Sequence, residues 1–277
     1  MTNEAPKRRN TGLIILIVVI AGLLLLCCAL ALVAAFLLPR VSSQTGPGGF
    51  LSVPGSGGAV EATRELDRAF QVQGAVVLDV SNQVGDVIIE GTDDGQVVVE
   101  ALVRGYGATT EEAERSADDV ALTIDQRSDG RIRAEARIPQ GMRFQGRSPT
   151  VRFMIRVPRE TTLQVSNNVG RIEVTDVVGS AMIKSDVGDV VVRRFTMRDD
   201  TRIEGNVGRI LVELPGDSAF IVDAETNVGD IDSEFDVRGA APERRPPGDR
   251  LQGEVGENPQ WELRLRTSTG DISIQAD

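Results

Sequence analysis

One glycine-centred phrase recurs six times along this chain: SNQVGDVII at 81–89, SNNVGRIEV at 166–174, KSDVGDVVV at 184–192, EGNVGRILV at 204–212, ETNVGDIDS at 225–233 and TSTGDISI at 267–274. The phrases align on Gly85, Gly170, Gly188, Gly208, Gly229 and Gly270. Two residues before each glycine stands a small polar or amide side chain (Gln83, Asn168, Asp186, Asn206, Asn227, Ser268), and two after it a β-branched one (Val87, Ile172, Val190, Ile210, Ile231, Ile272). Glycine and short polar residues relieve turn conformations that β-branched residues resist, so each phrase reads as a turn. On either side apolar residues alternate, as in Leu163 and Val165 before Gly170 and Ile172 and Val174 after it. That is the period of a strand with one buried face. The repeating unit is therefore strand, turn, strand.

The glycines are spaced by 18, 20 and 21 residues from Gly170 to Gly229, then by 41 to Gly270, about two units. A period near 20 built of strands and tight turns predicts an all-β fold: a single β-solenoid, β-helix-like, whose coils stack and bury their apolar faces inward. The long interval holds RGAAPERRPPGDRLQGEVGENPQ at 238–260, expected as a loop extruded from the stack. Between Gly85 and Gly170 the period breaks. There 96–103, 131–138 and 151–157 read as strands, and Thr109 with Glu112 forms a capping box opening a short acidic helix over about 110–119. This part is expected to cap the N-terminal end of the solenoid, because an exposed end invites edge pairing. Residues 59–70, AVEATRELDRAF, read as a short helix opening a domain that runs over 59–277.

Upstream lies a different material. Residues 12–38 are uncharged and strongly apolar. As a helix they would run about 40 Å, more than a hydrocarbon core of about 30 Å, so a tilted transmembrane helix is expected. Lys7, Arg8 and Arg9 precede it and Arg40 follows, which places 1–11 in the cytoplasm and the rest outside. A cleaved signal peptide is the competing reading, with Ala29-Leu30-Ala31 as its site. LVAAFLL carries the apolar run past that site, which favours an uncleaved anchor. The Gly/Ser/Pro-rich stretch 39–58 reads as a flexible linker.

The residue inventory removes much chemistry. There is no histidine, and the only cysteines, Cys27 and Cys28, lie in the apolar segment. Ser-His-Asp and Cys-His catalysis, the common zinc sites and disulfides in the exported part are thereby excluded. Residues 1–40 carry four basic side chains and one acidic, leaving 26 basic against 40 acidic in the remainder. So acidic a domain repels nucleic acid. No cofactor or metal is expected.

The residue after each glycine gives Arg171, Asp189, Arg209 and Asp230 in consecutive units, a sign alternation. Stacked about 4.8 Å apart, such side chains form a structural charge ladder, each opposite pair contributing about 0.2–1 kcal/mol. Calcium on stacked aspartates is disfavoured by the interposed arginines. Paired acids acting on a polysaccharide would need a pair set apart from the acidic surface, and none is evident. Trp261 falls on the inward alternation with Leu263 and Leu265 and reads as core; Tyr106 sits in a loop-like Gly-Tyr-Gly; Arg238, Arg244, Arg245 and Arg250 read as solvated charge on the long loop.

VVLDVSNQVGDVIIEG, a helical excursion, and then MIRVPRETTLQVSNNVGRIEV with further VGD and VGR turns together resemble the bacterial putative-adhesin domain family, a group of unknown function with β-solenoid structure. The likeness covers roughly 72–277. It implies a membrane-anchored domain facing outward and carries over no catalytic residue. The expected function is a non-enzymatic surface or envelope interaction module that meets an envelope polymer or surface protein. A self-assembling scaffold, stacking end to end through the C-terminal ISIQAD, is the alternative, and a polysaccharide-acting β-helix enzyme the third reading.

Overall fold

The computed structural model describes residues 58–239 and 247–277. The expected cytoplasmic segment 1–11, the transmembrane helix 12–38 and all of the linker 39–58 but Gly58 lie outside them. The described residues belong to one compact unit. In chain order it runs β1 (Val60–Gln71), β2 (Val76–Val84), β3 (Val87–Thr92), β4 (Gln96–Gly107), α1 (Thr110–Asp118), β5 (Ala121–Gln126), β6 (Ile132–Arg137) and β7 (Thr150–Pro158). The repeats follow: β8 (Thr161–Val169), β9 (Ile172–Thr175), β10 (Val178–Gly179), β11 (Ala181–Val187), β12 (Val190–Arg193), β13 (Thr196–Met197), β14 (Thr201–Val207), β15 (Ile210–Leu214), β16 (Phe220–Thr226) and β17 (Ile231–Ser233). The chain ends with β18 (Asp249–Val255), β19 (Trp261–Thr269) and β20 (Ile272–Ala276).

Two nine-stranded sheets result, ordered β1-β4-β7-β3-β9-β12-β15-β20-β17 and β18-β16-β19-β14-β11-β8-β2-β6-β5, with a narrow third side made by the pair β10-β13. Each coil passes from the second sheet to the first through one of the glycine turns. Central pairs are parallel; the antiparallel pairs, β1 with β4, β4 with β7, β5 with β6 and β16 with β18, all lie toward the ends. The architecture is all-β and solenoidal, as the repeat predicts. Its interior is filled by the alternating residues, among them Leu78, Leu163, Ile183, Ile203 and Leu265 from one sheet and Ile89, Ile172, Val192, Val212 and Ile274 from the other, none more than 1 % exposed.

The glycine turns state the stacking order directly. A Cβ added at Gly170 would lie 2.2 Å from the Gly85 carbonyl oxygen, at Gly188 2.1 Å from that of Gly170, and at Gly208 2.2 Å from that of Gly188. A Cβ at Gly270 would meet Gly208, and one at Gly229 would meet Gly270. The last coil in sequence is therefore inserted between its two predecessors: β19 pairs with β14 on one side and β16 on the other, and β20 with β15 and β17. ISIQAD is thus an interior strand and not the free edge expected of it.

Inside the turns runs a polar ladder, three residues before each glycine. Asn82 Nδ2 and Asn167 Nδ2 donate to the Gly85 carbonyl (3.1 and 3.0 Å), Thr267 to that of Gly208 (3.3 Å) and Thr226 to that of Gly270 (2.8 Å). All four side chains are buried, and each finds its partner in a turn carbonyl. Gly205 is the gap in this row.

Two other expectations change. Residues 59–70 form β1 and not a helix, in register with β4 from Val60 opposite Gly107 to Gln71 opposite Gln96. Ala62, Leu66 and Phe70, four apart, fit one face of either element; the long unpaired edge of β4 decides for the strand. The 238–260 loop is for the most part structured, since Asp249–Val255 is the edge strand β18 and Arg238 bridges Glu254. Its residues 240–246 lie outside the described ones. By contrast, the helix stands as predicted: Thr109 Oγ1 accepts from Glu112 N (3.2 Å) and the Glu112 carboxylate accepts from Ala108 N (2.8 Å). Ala113 and Ala117 of α1 press on Gly105 and Gly107, on the core-facing side of β4.

Candidate functional site

The alternation that buries one set of side chains aims the other set outward, in rows fixed by the parallel register. On the second sheet one row runs Asp223, Arg264, Arg202, Met182, Gln164, Asp79, Arg133, and the next Glu225, Arg266, Glu204, Lys184, Ser166, Ser81, Glu135. Opposite charges meet within and between rows. Arg266 donates to Asp223 (2.6 and 3.2 Å), Arg264 to Glu262 (2.7 and 2.9 Å) and Arg202 to Glu204 (2.6 Å).

Asp223 is the hub of this face. Burial pushes its carboxyl up, but Gln252 (2.8 Å), Arg266 and the nearby Arg250 favour the anion and hold it below the ordinary aspartate value of 3.8. A carboxyl with a depressed folded pKa stabilises the fold above its unfolded value and loses that contribution as pH falls through the folded one. Asp223→Asn is accordingly expected to lower stability at about pH 7 and to match the parent progressively from about pH 4 downward. Denaturant midpoints measured against pH check this, and a gap that does not change with pH would refute it.

The corner opposite the glycine turns carries a second ladder that sequence reasoning missed. Asp176 and Arg194 both adopt positive φ (60° and 47°) and pair in bidentate fashion at 2.9 and 2.6 Å, with Arg159 reaching Asp176 at 3.4 Å. The Arg194 guanidinium holds the Asp176 carboxyl below its ordinary range. Non-glycine residues rarely take this conformation, and in one sequence no composition signal marks them.

At the glycine corner, Arg171 lies 3.8 Å from Asp189. The aspartates also do something specific to their position: Asp86 accepts from Arg171 N (3.2 Å), Asp189 from Arg209 N (3.0 Å) and Asp271 from Asp230 N (3.1 Å). Each serves a main-chain donor one coil along the stack. Because of the inserted last coil, Asp271 stands between Arg209 and Asp230, so the row reads Asp86, Arg171, Asp189, Arg209, Asp271, Asp230. Gly85, Gly170, Gly188, Gly208, Gly229 and Gly270 all take φ between 125° and 142°.

Of the four basic loop residues, Arg238 is held on the Gly256 carbonyl and Arg250 lies 3.7 Å from Asp223; Arg244 and Arg245 are outside the described residues. Tyr106 is half-buried, with the Arg147 guanidinium 5.6 Å from its ring centroid. Trp261 is in phase with Leu263 and Leu265 but only half-buried, and lines a cleft of about 260 Å³. A second cleft, about 240 Å³, lies over Gln164, Met182, Arg202 and Arg264, whose arginines are already paired. Among the described residues no group of three or more Asp, Glu, Cys or His side chains is placed to hold a metal ion. The carboxylates of Asp176 and Asp223 are both shifted downward, the wrong direction for the general acid of a glycosidase.

Residues 159–275 match the model of the Toastrack DUF4097 family. Among solved structures, the chain is similar to a "putative cell adhesion protein" from Clostridium sporogenes, at 14 % identity over 78 % of this chain and all of that one, with a TM-score of 0.60. It also aligns with a "putative adhesin" from Bacteroides fragilis, at 14 % identity over 76 % of this chain and 97 % of that one, with a TM-score of 0.40. No curated protein matches the chain.

Proposed function

We propose that this chain, whose residues 159–275 match the Toastrack DUF4097 family model, is a non-enzymatic interaction module displayed outside the cytoplasmic membrane. The stack carries the reading. Its long faces are fixed in shape by coil-to-coil charge pairs, giving a rigid surface suited to recognition. The fold is shared over all of the "putative cell adhesion protein" from Clostridium sporogenes, and that description is in keeping with the same class of role. Residues 12–38 would anchor the module and 39–58 would tether it, with the basic Lys7, Arg8 and Arg9 retained inside. The ligand would be an envelope polymer or a surface protein.

End-to-end assembly loses its expected contact, since β20 is paired on both sides. The edge strand β1 also presents Arg64, Glu65, Asp67 and Arg68, and charges of this kind discourage edge pairing.

Protease added to cells expressing the full chain with a C-terminal tag tests the placement. The tag is expected to be cleaved while the cytoplasmic membrane is intact, after permeabilising an outer membrane where one is present. A tag protected until the cytoplasmic membrane is ruptured would overturn the proposal.

A further inference from the structure

The inserted last coil leaves a mark on the narrow third side. From β15 the chain must reach β16 past the level that β19 and β20 occupy, a gap of two strand spacings, or about 9.6 Å. Pro215–Ala219 makes that crossing as a turn, with Ser218 N donating to the Pro215 carbonyl (2.9 Å). The pair β10-β13 ends one coil earlier. The third side therefore opens here into the cleft of about 260 Å³, and the strand entering it begins with Trp261.

Three observations set this cleft apart from the rest of the surface. First, its polar side chains are unspent: Asp217, Asn258 and Gln260 make no side-chain hydrogen bond or ion pair among the described residues, whereas Asp223, Arg202, Arg264 and Arg266 on the second sheet are paired within the chain. Second, Asn258 holds φ at 51° directly before Pro259, a combination that the following proline ring disfavours. Backbone strain of this kind persists where the surroundings fix it and clusters at ligand sites. Third, the lining contains no lysine or arginine, so Asp217 sets its charge.

We propose that this cleft binds a neutral or N-acetylated sugar ring. A pyranose offers an apolar face of C–H groups and a rim of hydroxyls. The indole of Trp261, with its electron-rich face, supplies the platform for the first. The amides of Asn258 and Gln260 each present a donor and an acceptor to neighbouring hydroxyls or an acetamido group, and the Asp217 carboxylate accepts from hydroxyl donors. The volume lies below the roughly 300–1,000 Å³ of drug-sized sites, which restricts it to about one ring. Asp217 excludes uronic acids and phosphorylated sugars. This deepens the interaction-module reading by naming a ligand class and a site.

Trp261 is the chain's single tryptophan, so its fluorescence reports on this cleft alone. The full chain, in a detergent without a sugar headgroup, is titrated with chitotriose and cellotriose, with trigalacturonate as the acidic probe. A saturable change near about 1 mM is expected for a neutral probe and none for trigalacturonate. Asp217→Ala and Gln260→Ala, both exposed positions, are each expected to weaken binding at least about fivefold. Absence of a saturable change up to about 50 mM, or saturation unaltered in both variants, overturns the sugar site. The module reading fails separately, if the tag stays protected until lysis, whatever the titration shows.

Discussion

Gly188→Ala is expected to cost about 4 kcal/mol or more and to lower the melting temperature by roughly 8–16 °C for a domain of this size. The effect has two parts. Gly188 takes φ +141°, a conformation L side chains rarely adopt, and holding an alanine there costs about 1–3 kcal/mol. In addition, the new Cβ would stand 2.1 Å from the Gly170 carbonyl oxygen. That atom belongs to the backbone of the neighbouring coil, so relief requires two coils to separate where their ladder bonds, Gly170 N to the Val187 carbonyl (2.9 Å) and Ile172 N to the Asp189 carbonyl (3.0 Å), hold them together. Gly205→Ala is the control within the same stack. Gly205 does not take a positive φ, and the nearest atom to its Cβ would be 3.6 Å away, so this change is expected to be neutral or to stabilise by about 0.4–1 kcal/mol. Denaturant unfolding of the two variants beside the parent decides the matter; similar losses in both would mean that the turns do not stack as described.

The contrast between these two glycines also shows what one sequence discloses. Gly188 was legible because its constraint repeats: the same turn is needed at every coil, so the phrase is written again each time, and the period of the phrase reveals the solenoid. Gly205 sits in the polar row three residues before the turn glycines, where Asn82, Asn167, Ser185, Thr226 and Thr267 share a role but not a residue type. Any side chain that reaches a turn carbonyl serves there, and the pattern dissolves into ordinary strand polarity. Asp176 and Arg194 are hidden for a different reason. Each stands six residues after a turn glycine, 18 apart like Gly170 and Gly188, so their register follows the repeat; the positive φ of their corner does not, because neither residue is a glycine.

Stacking order was less legible still. The 41-residue interval between Gly229 and Gly270 equals about two repeats, and two units following in succession satisfy it as well as an insertion does. Only the pairing separates them, since every coil carries the same inward pattern of β-branched and leucine residues. The Trp261 cleft follows from the insertion and was invisible for that reason. By alternation alone Trp261 belongs with Leu263 and Leu265, yet the crossing at Pro215–Ala219 leaves the start of its strand open on the third side.

Deleting residues 261–277 tests that insertion with the largest effect expected of any change here. Were the coils stacked in sequence order, the deletion would strip an end unit and leave the rest of the solenoid close to intact. In the observed order it removes a coil from inside the stack. Leu263, Leu265, Ile272 and Ile274, none more than 1 % exposed, would be lost at about 1.5–3 kcal/mol each. Their sum is comparable to the whole stability of a typical domain, about 5–15 kcal/mol. The antiparallel pair of β16 and β18 loses β19, its only other strand partner among the described residues, and β17 loses β20. Residues 220–255 are therefore expected to become protease-sensitive and to lose amide-exchange protection, while β8, β11 and β14, still joined by their own parallel ladders, retain more of theirs. The same topology orders folding, because β16 has no seat until the last strands of the chain are made, so its amides are expected to gain protection last on refolding. Retained protection of 220–255 in the truncated chain would mean that β16 slides down onto β14 through the similar turn phrases at Gly208 and Gly229. That outcome would show that the crossing at Pro215–Ala219 does not require the coil it spans.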